Sequence, residues 1–142
     1  MKKIKELLLM LEKNRETAYS LVRIYLGIAL FVRGIILFAE PEAITKLAGA
    51  HDMYMWHSYI IGAHIIGGLL LALGLLTRVA ALFQIPILFG AVFFIHIEQG
   101  LITGGQSLEL AGLVLVLLFI YLLFGSGKFS LDTKIWHSGS PA

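Results

Sequence analysis

Apolar residues gather into four runs along this chain, at about residues 17–39, 58–76, 79–97 and 107–124, each interrupted by only a few polar side chains. A hydrocarbon layer about 30 Å thick takes about 20 residues of helix to cross. Each run is near that length, so the pattern predicts four transmembrane helices. The glycines within them, Gly27, Gly34, Gly62, Gly67, Gly68, Gly74, Gly90 and Gly112, are better tolerated in membrane helices than in soluble ones. Ala63/Gly67 and Gly68/Ala72 form small-xxx-small pairs, which let neighbouring backbones approach closely; chance in a glycine-rich span explains them equally well. Ahead of the first run, Ile4, Leu7, Leu8 and Leu11 recur at i, i+3, i+4 and i+7, with lysines and glutamates between them. That periodicity predicts an amphipathic helix over residues 1–15, lying on the membrane surface. The expected fold is all-α: a four-helix transmembrane bundle in a single domain, residues 1–142, with an N-terminal interfacial amphipathic helix. No cleavable signal is expected, because residues 1–15 are charged and the apolar stretch behind them is too long for an h-region.

Composition narrows the function classes. The 142 residues are 58% hydrophobic and 14% charged, against about 25% charged in soluble domains. The absence of cysteine excludes a disulfide framework, a zinc-cysteine site and thiol redox chemistry. A net charge of +2 would suit nucleic acid, but the cations are sorted by membrane side instead. Lys2, Lys3, Lys5, Lys13, Arg15, Arg78, Lys128 and Lys134 fall on one side of an even-span arrangement and only Lys46 on the other. The positive-inside rule then places both termini in the cytoplasm. In the longer outer loop, Pro41 is suited to open a short helix. Met53, Tyr54, Met55 and Trp56 are suited to the headgroup interface, as is Trp136 at the inner face.

Ionisable groups inside hydrocarbon carry the chemistry, since they usually face the bundle interior and find partners. At a rise of about 1.5 Å per residue, Arg33 lies about 9 Å below the outer end of the first span and His64 about 10 Å below that of the second. Glu109 lies about 3–6 Å inside the fourth span, and His96 and Glu98 sit at the outer mouth of the third. Arg33, His64, His96, Glu98 and Glu109 are therefore the candidate ligand-binding residues, in a salt-bridged pocket open towards the outside. A structural clasp that only fixes helix register is the equal alternative. His96 is about 200° from Glu98 on an ideal helix, so both enter one narrow pocket only if Pro86 or the last turn reorients them. Nearer the cytoplasm stand Arg23, Gln84 and Tyr121, of which Arg23 is expected to snorkel to the headgroups. No metal site is expected: His57 and His64 are about 10 Å apart along the axis, too far for one ion. Haem between His64 and His96 is disfavoured by a depth difference of roughly 7 Å. Residues 125–128, Gly-Ser-Gly-Lys, lack the Walker spacing, and no nucleophile elbow or zinc-protease pair occurs.

The tail Gly125-Ser126-Gly127-Lys128-Phe129-Ser130-Leu131-Asp132 resembles the closing signature of the DoxX family of small bacterial membrane proteins. Leu21-Val22-Arg23 with Gly27 and Gly34 is similar to that family's opening span. Gly67-Gly68 through Gly74-Leu75-Leu76-Thr77-Arg78 resembles its second span and inner turn. His96-Ile97-Glu98-Gln99-Gly100 and Gly105 with Glu109 resemble the third-span exit and fourth-span entry. His64 stands where many relatives have Glu, Arg33 where they often have His, and Leu37 where Lys is frequent. The resemblance implies four spans in the bacterial cytoplasmic membrane and a link to membrane redox systems, one related branch being a thiosulfate:quinone oxidoreductase small subunit.

The function expected on these grounds is an accessory or ligand-binding component of a membrane redox system, with quinone as the cofactor the resemblance suggests. Membrane lipid is one partner; a redox partner protein and a second copy of the chain stay open. The alternatives are a small-molecule or lipid binding or transport protein, and an assembly scaffold without catalysis. Topology is directly testable. Single cysteines at Ala50 and Ser138 should differ towards a membrane-impermeant label in intact cells, only Ala50→Cys reacting. Labelling of Ser138→Cys in sealed cells would overturn the even-span arrangement.

Overall fold

Without water, backbone N–H and C=O groups are satisfied only within helices or closed barrels. The computed structural model describes residues 1–40, 42, 54–97 and 107–137 and is helical along each apolar run; no strand occurs among the described residues. Helix α1 spans Lys2–Lys13 and α2 spans Arg15–Ala39. The second run is composite: α3 (Tyr54–Gly62), a π turn (Ala63–Gly67) and α4 (Gly68–Leu73). Helix α5 (Thr77–Gly90) contains Pro86 and passes into a second π segment, Ala91–His96. Helices α6 (Ser107–Phe124) and α7 (Leu131–His137) complete the chain. Arg15–Ala39, Trp56–Leu73 and Thr77–Phe94 are long and apolar enough to cross a membrane, and α6 adds a shorter apolar helix, Leu108–Phe124.

Two boundaries differ from the periodicity. The second helix stops at Leu73, because Gly74 adopts φ +69° and Gly74 N–H and Leu75 N–H turn back to Leu71 and Leu70 carbonyls. Leu76 follows at φ +47°, a left-handed conformation that costs a side-chain-bearing residue roughly 1–2 kcal/mol. The first span begins at Arg15, one residue after Asn14, whose side-chain amide donates to the Met10 carbonyl at 3.0 Å.

On α2 the buried residues Ser20, Arg23, Leu26, Gly27, Leu30, Gly34 and Leu37 form one stripe, as spacings of three and four require. Leu26 and Leu30 meet Leu71, Ala81, Leu88, Ala111, Leu115, Leu118 and Tyr121, so all four apolar helices share a core. The opposite faces are apolar and exposed, Ile28, Phe83 and Val116 among them, as lipid contact demands. Helix α1 buries nothing; Ile4, Leu7, Leu8 and Leu11 are all exposed.

Glycine sets the closest approach. A Cβ on Gly27 would overlap the Ala72 backbone, and one on Gly68 would lie 2.5 Å from the Phe31 amide nitrogen. The Gly68/Ala72 pair is thus a specific helix contact, against α2, whereas Gly67 faces Gln84 of α5. Gly27→Ala must push two backbones apart and is expected to cost about 1–3 kcal/mol. Gly62→Ala, which enters open space, should leave the melting temperature in lipid nanodiscs unchanged. Equal melting of the two variants would refute the close contact.

Candidate functional site

The interior site is built on the first π turn. π-Bulges are rare and frequently lie at functional sites, and this one carries His64, 3% exposed. His64 Nδ1 lies 2.9 Å from the Ile60 carbonyl oxygen. A carbonyl only accepts, which assigns the ring hydrogen to Nδ1 and leaves Nε2 as an acceptor in the neutral imidazole. Against it stands α2, where a Cβ on Gly34 would come within 3.0 Å of His64 Cβ. Arg33, the preceding residue, is exposed, and its charge acts on the imidazole.

One turn further along, Gln84 of α5 is fully buried, and neither amide atom has a partner among the described residues. A Cβ on Gly67 would sit 2.6 Å from Gln84 Nε2, so the glycine makes the room the amide occupies. An unsatisfied buried polar group costs about 1–3 kcal/mol. A primary amide kept in the core at that cost offers two donors and an acceptor to whatever occupies the interior. Gln84 stood in the sequence only as part of a thin inner layer; the signal that marks it is its seven-residue spacing from buried Thr77 on one helix face.

The remaining candidates are placed as follows. Glu109 is exposed in the first turn of α6, on the stripe shared with exposed Leu113 and Val116. His96 ends the second π segment, where the turn angle departs from that of an ideal helix. Glu98 lies outside the described residues, as do Pro41, Lys46 and Met53 of the loop ahead of α3. Arg33 stands exposed beside Gly34, the residue of α2 that meets the π turn at His64 and Ile65. Among the described residues no group of three or more His, Asp or Glu converges as a metal site.

At the other end of the bundle Arg23 departs from expectation. It does not snorkel: it is 1% exposed, and its guanidinium donates to the carbonyls of Ser126 and, at 2.6 Å, Phe129. The reason is that the tail folds back under the bundle and brings acceptors to it. Gly125 and Gly127 take φ +83° and +77°, which only glycine adopts readily. Tyr19 Oη donates to the Gly125 carbonyl at 2.7 Å and Tyr121 Oη to the Tyr19 carbonyl at 2.9 Å, with the rings 4.8 Å apart. Ser130 Oγ caps α7 by accepting from Thr133 N–H at 3.1 Å. Asp132 ties the tail to the turn: its N–H donates to Gly74 O, and its carboxylate accepts from Leu76 N–H at 2.8 Å and Thr77 N–H at 3.1 Å. That cap holds the left-handed Leu76 in place and satisfies the first amides of α5.

The DoxX profile matches residues 18–97, more than half of the chain, through the first three apolar helices and the His64 turn. The chain belongs to the DoxX family. Among curated relatives it is 28% identical over 128 residues to "Putative oxidoreductase CatD" of Bacillus subtilis (strain 168), covering 89% of this chain and 92% of that one. It is 35% identical over 135 residues to an uncharacterized protein of Haemophilus influenzae, covering 89% and 96%. No solved structure matches.

The clasp makes a stability prediction. Arg23→Met strands the Ser126 and Phe129 carbonyls, and each hydrogen bond to a charged group contributes about 1.5–3 kcal/mol. The variant should melt well below wild type, while Lys134→Ala, at an exposed position, should not. Unchanged melting of Arg23→Met would remove the clasp as a stabilising element.

Proposed function

We propose that this DoxX-family membrane protein is a ligand-binding accessory component of a membrane redox system. Its site is centred on His64, in the half of the bundle away from the tail. The observation that carries this reading is the buried His64, its Nδ1 engaged by Ile60 O and its Nε2 left as an acceptor. Support for the redox context comes from the name of the Bacillus subtilis relative. A quinone is the ligand that suits such a site. Its carbonyl oxygens accept hydrogen bonds, and its two-electron reduction takes up two protons from water and converts those oxygens into hydroxyls that donate. His64 Nε2, an acceptor, would take a hydrogen bond from the quinol hydroxyl, and Gln84 would donate one from its amide to the quinone oxygen. A partner protein would supply or take the electron pair, because the chain has no cysteine. On the same reading Arg33 and Glu109 pair, His96 and Glu98 line the mouth, and the chain crosses the bacterial cytoplasmic membrane four times with both termini inside.

A second reading, binding of a lipid-like molecule without redox chemistry, draws on an apolar groove of about 370 Å³ between the second and third spans. Gly62, Ala63 and Gly67 floor it, and Tyr59, whose hydroxyl donates to the Phe83 carbonyl at 2.6 Å, stands along it.

The two readings separate on what travels with the protein. Extraction into native-lipid nanodiscs, followed by mass spectrometry and reduced-minus-oxidised absorbance, should show a bound quinone in wild type. His64→Phe should lose it with little change in melting. A redox-inert lipid in its place would favour the second reading and end the first. The Arg33–Glu109 pairing is tested by a double-mutant cycle with Arg33→Met and Glu109→Leu, where a coupling of about 0.5–3 kcal/mol is expected. Additive stability changes would mean that the two residues do not interact.

A further inference from the structure

Two arginines, Arg23 and Arg78, flank the tail loop, and only one is consumed by the fold. Arg23 is buried and holds the tail carbonyls. Arg78, the second residue of α5, is exposed, and none of its guanidinium donors meets an acceptor among the described residues. Asp132 on the same wall forms no ion pair with it among the described residues; its two carboxylate oxygens accept backbone amides instead, Oδ1 from Leu76 and Oδ2 from Thr77. Its guanidinium lies over the tail loop instead: a Cβ on Gly125 would come 3.4 Å from Arg78 Nε.

Beneath it is a cavity of about 380 Å³ formed where the start of α5, the end of α6 and the tail loop meet. Its polar wall includes Arg78, Ser126 and Thr77, whose hydroxyl is buried and has no partner among the described residues. Its opposite edge is apolar and exposed, with Leu76 at 52%, Val79 at 43% and Phe124 at 73%. Exposed Lys128 follows the loop glycine Gly127 and adds a second positive charge.

A fork of N–H donors selects planar or tetrahedral oxyanions and binds phosphate through two parallel hydrogen bonds. An adjoining hydroxyl adds a donor. The exposed apolar edge asks for a hydrocarbon chain attached to that oxyanion. Basic pockets between transmembrane helices at the membrane surface take anionic headgroups in this way. We propose that this cavity binds the phosphate of an anionic phospholipid, with Arg78 as its forked contact, Thr77 as a second donor, and an acyl chain along Leu76, Val79 and Phe124. The site lies at the opposite end of the bundle from His64 and stands independently of the redox reading.

Native mass spectrometry of the full chain tests it, using equal amounts of phosphatidylglycerol and phosphatidylcholine with identical acyl chains. Wild type should retain the anionic lipid in preference by about fivefold, the discrimination one interfacial cation provides. Arg78→Gln should bring the two lipids near parity, while Lys134→Gln, a loss of charge beyond the cavity, should keep the preference. Equal retention by wild type, or an unchanged preference in Arg78→Gln, would overturn the proposal. So would displacement of the lipid by inorganic phosphate at equal concentration, which would assign the site to free phosphate. A readout that needs no variant guards against misfolding. Phosphatidylglycerol with a photoreactive group beside its phosphate should cross-link wild type within residues 76–79 or 124–133, and adducts confined elsewhere would refute the site.

Discussion

The guanidinium of Arg23, held by carbonyls that belong to the far end of the sequence, is the contact on which the architecture closes. A charge at this depth is tolerable only with acceptors around it, and the acceptors exist only once the tail has returned beneath the bundle. The same return places Asp132 on the first amides of α5 and fixes the left-handed Leu76 between the second and third helices. One charge-assisted contact therefore couples the first apolar helix, the central turn and the tail that follows α6.

The helical fold was legible because it rests on local signals. Apolar runs of spanning length and the three-and-four spacing of buried positions on α2 are properties of short windows. The contact of Gly68 and Ala72 with α2 was half legible: spacing singled out the pair but could not say which helix would meet it. What spacing could not reveal was a partner more than a hundred residues away. Arg23 read as a snorkelling cation because its acceptors, the Ser126 and Phe129 carbonyls, are backbone atoms with no signature of their own. The family resemblance did single out the tail, and the structure supplies a reason for its residue types: two glycines for positive φ, a serine cap and an aspartate for the turn.

The candidate site was legible in the same uneven way. His64 was conspicuous as an ionisable group in an apolar run. Gln84 was noticed only as part of an inner layer, because a neutral amide carries no charge that demands a partner, yet its burial without partners makes it the more demanding of the two. The π turns were invisible for a different reason. The first of them packs Gly67 against Gln84 and His64 against Gly34, contacts between helices that no short window of sequence displays.

The π turn at Ala63–Gly67 carries a further consequence. Such a turn holds more residues than an α-turn, so the stretch above it is rotated relative to the stretch below, by about 100° for each added residue. The faces of Tyr54–Gly62 and of Gly68–Leu73 are therefore set separately, although they belong to one span. The lower part is fixed by the backbone of α2 at Gly27 and Phe31. The upper part is free of that constraint, and a single-residue gain or loss at the π turn can re-aim it while the anchored part stays where it is. The second apolar helix is thus two modules sharing an axis, one anchored to its neighbour and the other free to turn.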